Sequence, residues 1–209
     1  MDKEHWQLTL DSVATGYGFN EGYKLLYCPW ETIHNSTVAF ISLNPGSIPD
    51  GGEKNVVSEE EGNSYCIERE STKSPITLQF LKMAEFLAIK PESILTGVIH
   101  PFRSNRWKDF SKKQKEIGMR IGAEFWSLAL SSNIKTIVAV GNETFNQVNR
   151  LTNSEFVESI FSGWGQCHLQ RYKTAHGSQL IKLPHLSSYK LFSRPECHEP
   201  LSRIFELTE

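Results

Sequence analysis

Asn44 follows an apolar, β-branched run and opens the turn Asn44-Pro45-Gly46. A carboxamide held at a strand tip can orient a water molecule, but it is too weak a base to take the water's proton. His185 stands after Pro184 at a second run's exit, where an imidazole N–H can donate to an oxygen on which charge builds. Ser187 and Ser188 follow with hydroxyl and backbone donors, then Tyr189 and Lys190. Arg103 and Arg106 share a loop with Lys108, Lys112, Lys113 and Lys115, and their guanidinium forks match phosphate geometry. Other chemistries find no support. Ser187 lacks a Gly-x-Ser-x-Gly elbow, and Gly16-Tyr17-Gly18 lacks both a third glycine and a preceding strand. No two of the four cysteines stand in a Cys-x-x-Cys spacing, which argues against an iron–sulfur cluster or zinc ribbon; free, buried thiols are expected.

These groups need a scaffold, and the hydrophobic pattern predicts one. Thr37–Leu43, Ile94–Ile99 and Ile134–Val140 read as strands buried on both faces. Cys167–Tyr172 and Gln179–Leu183 read as two shorter strands around His176-Gly177. Ser74-Pro75 opens a helix that runs to about Ile89, and a second covers Lys113–Ser131. Further helices are expected over Glu143–Arg150, Ser154–Phe161 and Glu199–Leu207. The polar stretch Ser47–Ser74 reads as a long surface loop, and His100 as a core or pocket-wall residue. Strands alternating with helices predict a parallel sheet between helices, whose ligand site lies beyond the strands' carboxyl ends.

With 209 residues and no low-complexity linker, a single domain over 1–209 is expected. A formal charge of −2 excludes a generally basic binder but not a local basic strip. No apolar run approaches the length of a membrane span and no targeting pattern is present, so the expectation is a cytoplasmic protein with no membrane partner.

Four segments in order resemble the uracil-DNA glycosylase superfamily, in its mismatch-specific and single-strand-selective branches. Ser42-Leu43-Asn44-Pro45-Gly46 is similar to the Gly-x-Asn-Pro-Gly strand exit, and Ile94–Arg106 to a strand followed by a Pro- and Arg-bearing loop. Ile137–Phe145 is similar to a strand-Gly-helix unit, and Leu183–Tyr189 to the His-Pro-Ser motif before the DNA-probing loop. Two positions depart from the pattern: Gly97 stands where many members carry a base-reading asparagine, and Leu186 where proline is usual.

The resemblance implies an α/β fold, a three-layer αβα sandwich around a mostly parallel four-stranded sheet. It also implies excision of uracil or a related damaged base from DNA, with no cofactor and no metal, by a monomer. In that reading Asn44 positions the attacking water and His185 stabilises the departing base. Leu43, Pro45, Gly46, Gly97 and an aromatic floor from Tyr65 or Phe102 line the base pocket. Arg103, Arg106, Ser187 and Ser188 hold phosphates, and Tyr189, Lys190 and Leu191 fill the gap left by the extruded base. The alternatives are a non-catalytic nucleobase-, nucleotide- or DNA-binding protein on the same fold, and hydrolysis of free nucleosides or nucleotides.

Overall fold

Continuous apolar runs cannot present a polar face to water, so they pair side by side and are covered from both sides. The computed structural model of the chain describes residues 1–48, 51–69, 74–130 and 133–207. In chain order its elements are α1 (Lys3–Tyr17), β1 (Tyr23–Lys24), α2 (Thr32–Asn35), β2 (Val38–Ser42), β3 (Asn55–Val56), α3 (Ser64–Ile67), α4 (Pro75–Phe86), β4 (Leu95–Val98), α5 (Lys112–Ala129), β5 (Thr136–Val140), α6 (Asn142–Thr152), β6 (Glu155–Phe161), β7 (His168–Lys173), β8 (Gln179–Leu183), α7 (Leu186–Tyr189) and α8 (His198–Ile204).

One mixed sheet of six strands runs in the order β4-β2-β5-β8-β7-β6. The first four are mutually parallel, and β7 and β6 continue the sheet antiparallel. One face carries Ala39, Ile41, Leu95, Ile137 and Ala139 against Trp6 and Leu10 of α1, Phe125 and Trp126 of α5, and Phe145 of α6. The other carries Val38, Phe40, Val138, Ile181 and Leu183 against Phe80 and Met83 of α4, Leu186 of α7 and Leu201 of α8. The protein is therefore of the α/β class, with helices on both sheet faces.

The sheet exceeds the expected four strands by two: β7 joins it antiparallel, and Ser154–Phe161, expected as a helix, is the edge strand β6. Phe156, Val157, Ile160 and Phe161 fall at helical spacing, which explains the expectation. Asn153 ends α6 in the left-handed region at φ 44°, so the chain cannot continue as a helix. The register of β6 on β7 then shifts between Phe156 and Glu158, which breaks the two-residue alternation of a regular strand. Helix α1 is an addition to the expected elements. Trp6, Leu10, Val13, Ala14 and Tyr17 lie at helical spacing, Asp2 accepts from the Glu4 N–H at its start, and Gly18 closes its end.

The stretch Ser47–Ser74 is less loop-like than expected where it is described. It contains β3 and α3, and Val57, Asn63, Ser64 and Tyr65 are buried. Residues 49–50 and 70–73 of that expected loop, and Ser131 at the expected end of α5, lie outside the described residues. All four cysteines are free, with Cys28, Cys167 and Cys197 buried. Among the described residues no helix is long and apolar enough to cross a membrane.

Candidate functional site

Parallel strands deliver their carboxyl ends to one side of the molecule, so the exits after β2, β4, β5 and β8 lie along a common rim. The first two exits are tied together. Ile99 and His100 donate backbone N–H bonds to Ser42 and Leu43, at 2.9 and 2.8 Å, and Ser104 donates to Pro45 at 3.1 Å. The Asn44 side chain completes the tie: Nδ2 donates to the carbonyls of Ser104 at 3.0 Å and Pro45 at 2.9 Å. Two carbonyl acceptors on one side of the amide define which end is nitrogen, so Oδ1 is the end left to accept. Asn44 is half-buried, Pro45 buried and Gly46 exposed. Leu43 packs against the core as a partly buried residue.

Beside this exit lies a cleft of about 270 Å³ lined by Lys24, Tyr27, Gly46, Ser47, Glu68, Ser74, Ile76, Thr77 and Arg103. It adjoins a larger cleft of about 640 Å³, and Lys24, Glu68 and Arg103 border both. The larger cleft also carries Glu53, Glu59, Glu60 and Glu61 against Lys3, so its wall is predominantly acidic. Lys24 is buried and ion-paired to Glu59 at 2.9 Å, with Nζ 4.9 Å from the Tyr27 ring centre.

The aromatic component of the smaller cleft is Tyr27, which the sequence reading did not single out. Tyr65 stacks behind it with ring centres 5.2 Å apart. Tyr65 therefore backs the cleft wall and is itself buried. Burial drives both phenols above their ordinary range. Phe102 lies elsewhere, stacked on Phe19 at 3.7 Å in the cluster against the opposite sheet face.

Gly97 is buried mid-strand and borders neither cleft. A methyl group there would stand 2.6 Å from the Leu25 carbonyl oxygen and 3.0 Å from the Trp126 ring. The segment after β1 crosses the edge of β4 at this point, with Leu26 bridged to Gly97 and the Tyr27 N–H donating to Thr96 O at 2.8 Å. Glycine thus permits the close approach of backbone that carries Tyr27 to the cleft.

The basic loop divides into two kinds of cation. Arg103 is buried, and its guanidinium donates to the carbonyls of Lys54 at 3.1 Å, Glu53 at 3.3 Å and Gly46 at 3.4 Å. Those donors clamp the loop before β3 to the β2 exit, and burial holds its pKa below the usual arginine value. Arg106 is solvent-facing and paired with Asp109, at 3.2 Å. His100 is fully buried among Phe19, Phe102, Trp107 and Phe110, within its expected role, with Nε2 3.2 Å from Gln114 O. Burial holds its imidazole down at about 4.

His185 stands at the start of α7 and is exposed, with its carbonyl accepting from the Ser188 and Tyr189 N–H groups. It borders neither cleft. Strand β5 separates β8 from β2, so the two exits stand two strand spacings apart, roughly 10 Å. Ser187 and Tyr189 are half-buried, Ser188 and Lys190 exposed, and Lys190 ends α7 at φ 50°. The Tyr189 ring meets Trp164 edge-on, and the Arg194 guanidinium lies 3.6 Å over that indole.

Glu68 is the second residue that sequence reading missed. It follows α3, and its backbone N–H closes that helix on Ser64. Burial raises its carboxyl above the usual range; Lys24 opposes that shift and Glu59 adds to it. Nothing in the local string Cys66-Ile67-Glu68 distinguishes this glutamate from the neighbouring ones. Tyr27 left a weak trace, as the end of the apolar run Leu25-Leu26-Tyr27. Among the described residues no group of three His, Cys, Asp or Glu side chains could hold a metal ion. No protein-family profile matches this sequence, and no curated protein matches it either.

Proposed function

We propose that the chain is a DNA glycosylase of the uracil-DNA glycosylase type, hydrolysing the bond between deoxyribose C1′ and uracil or a related damaged base. The observation that supports it best is the Asn44 amide. It is immobilised by two carbonyls at the tip of a central strand, two residues before Gly46, which borders a cleft of about 270 Å³. An acceptor fixed in this way can hold a water against C1′ without being reorganised during the reaction. The resemblance adds that all four motifs belong to parallel strands or their exits, which share one rim. His185 serves there as the donor to the departing base, a contribution of about 10²–10³ in rate at comparable sites. Tyr27 replaces Tyr65 and Phe102 as the aromatic group facing the base. Arg106, Ser187, Ser188 and Lys190 meet phosphates, and Tyr189 takes the gap in the stack. The protein acts as a cytoplasmic monomer on DNA.

A second reading is a non-catalytic nucleotide- or DNA-binding protein on the same scaffold. It is favoured by the acidic wall of the larger cleft, which repels a phosphate backbone, and by the commitment of Arg103 to carbonyl groups. Oligonucleotides carrying uracil, hypoxanthine or xanthine, single- and double-stranded, separate the two when they are incubated with protein and then treated with alkali. Strand breaks that disappear in Asn44→Ala and weaken about 10²–10³-fold in His185→Ala are expected. Binding without breaks on every substrate selects the second reading.

A further inference from the structure

Hydrolysis of a glycosidic bond sets free a proton from the attacking water, and the Asn44 amide cannot take it. Glu68 stands in the wall of the cleft that Gly46 and Ser47 border two and three residues beyond Asn44. It follows the end of α3 and shares that wall with Tyr27 and Lys24, Thr77 from α4 and Arg103 from the loop after β4. Glu59 also acts on it, and it acts in turn on the Tyr65 phenol. Among the described residues that border the smaller cleft it is the one carboxylate.

We propose that Glu68 is the catalytic base of this site, receiving the proton of the water that Asn44 holds. The proposal rests on the glycosylase reading. In the step, the water oxygen forms a bond to C1′ and the C1′–N bond breaks. The electron pair leaves on the base nitrogen, the water's proton passes to the Glu68 carboxylate, and Glu68 later returns it to solvent. The surroundings suit the task. Partial burial raises the carboxyl above its ordinary range and so makes its anion a stronger base, while Lys24 and Arg103 oppose that shift.

The test is single-turnover excision by wild type, Glu68→Gln and Glu68→Asp across pH 4 to 9 (a span of about five units around the neutral range). DNA affinity is measured in parallel by fluorescence anisotropy. Glu68→Gln keeps the side-chain shape and cannot accept a proton. The expected result is a loss of about 10²–10⁴-fold in rate, disappearance of the acidic limb of the profile and unchanged affinity. Glu68→Asp retains an acidic limb at reduced rate, and it carries the test alone if Glu68→Gln does not fold. Wild-type rates with the limb intact in Glu68→Gln overturn the proposal and leave the glycosylase reading standing. A rate loss matched by weaker binding, again with the limb intact, overturns it in favour of a binding role. Wild type that excises no base ends the glycosylase reading and this proposal together.

Discussion

Asn44 and Arg103 show how differently two polar residues at neighbouring exits are used. The Asn44 amide satisfies two carbonyls and keeps an acceptor, whereas Arg103 directs its donors at three carbonyls within the protein. Sequence marked both residues, but only the distances separate a group that keeps an acceptor from one that spends three donors on holding loops. His100 provides a test at the same scale. Its imidazole drops from 6.5 to about 4 because it is buried in an aromatic cage, and a side chain at Gly118 would overlap the ring. The unfolded chain therefore binds a proton below pH 6.5, while the folded chain resists until about pH 4, so acid favours unfolding across that window. Urea denaturation of wild type should show a stability loss between those pH values larger by up to about 3 kcal/mol than in His100→Phe. Equal losses in both proteins would show that His100 does not govern the acid response.

Elements carry their own determinants. Helix α5 begins with a reciprocal capping box: the Gln114 N–H reaches the Ser111 hydroxyl at 3.2 Å, and the Ser111 N–H reaches Gln114 Oε1 at 3.0 Å. The same Gln114 carboxamide donates to Tyr17 O at 3.2 Å, which joins the start of α5 to the end of α1. Ser111→Ala removes the cap and should cost about 1 kcal/mol, read as a lower urea midpoint with an unchanged slope. A midpoint within error of wild type would mean that packing alone defines this helix start. Strand β6 is the opposite case. Its two-residue alternation is interrupted by the register shift, and its exposed Phe156, Val157 and Phe161 give no buried face to read.

The whole molecule is close to neutral, so its attraction for a polyanion depends on where charges lie rather than on their sum. Arg106 and Lys190 extend into solvent on the rim side, while the larger cleft is lined by glutamates. On the proposed function, each phosphate contact releases counterions and adds about 0.9 to the slope of log affinity against log salt on duplex DNA. Lys190→Ala should therefore make that slope shallower by about 0.9 between about 50 and 200 mM salt, with excision at saturating protein unchanged. An unaltered slope would place Lys190 off the DNA path.

The sequence by itself determined the α/β class, the three principal strands, the helix opened by Ser74-Pro75, the long helix expected from Lys113, and the exits at Asn44 and His185. Those features are local, because unbroken apolar runs, caps and turn residues act over a few positions. Tertiary structure decided what stands around the exits. Tyr27 reaches the cleft because Gly97 lets a distant segment cross β4, and Glu68 enters it from a short helix whose own residues show no periodicity. Tyr65 and Phe102, the first and second aromatic candidates in the sequence, end on opposite faces of the sheet. The face on which a loop residue settles depends on long-range packing, which no window of sequence contains.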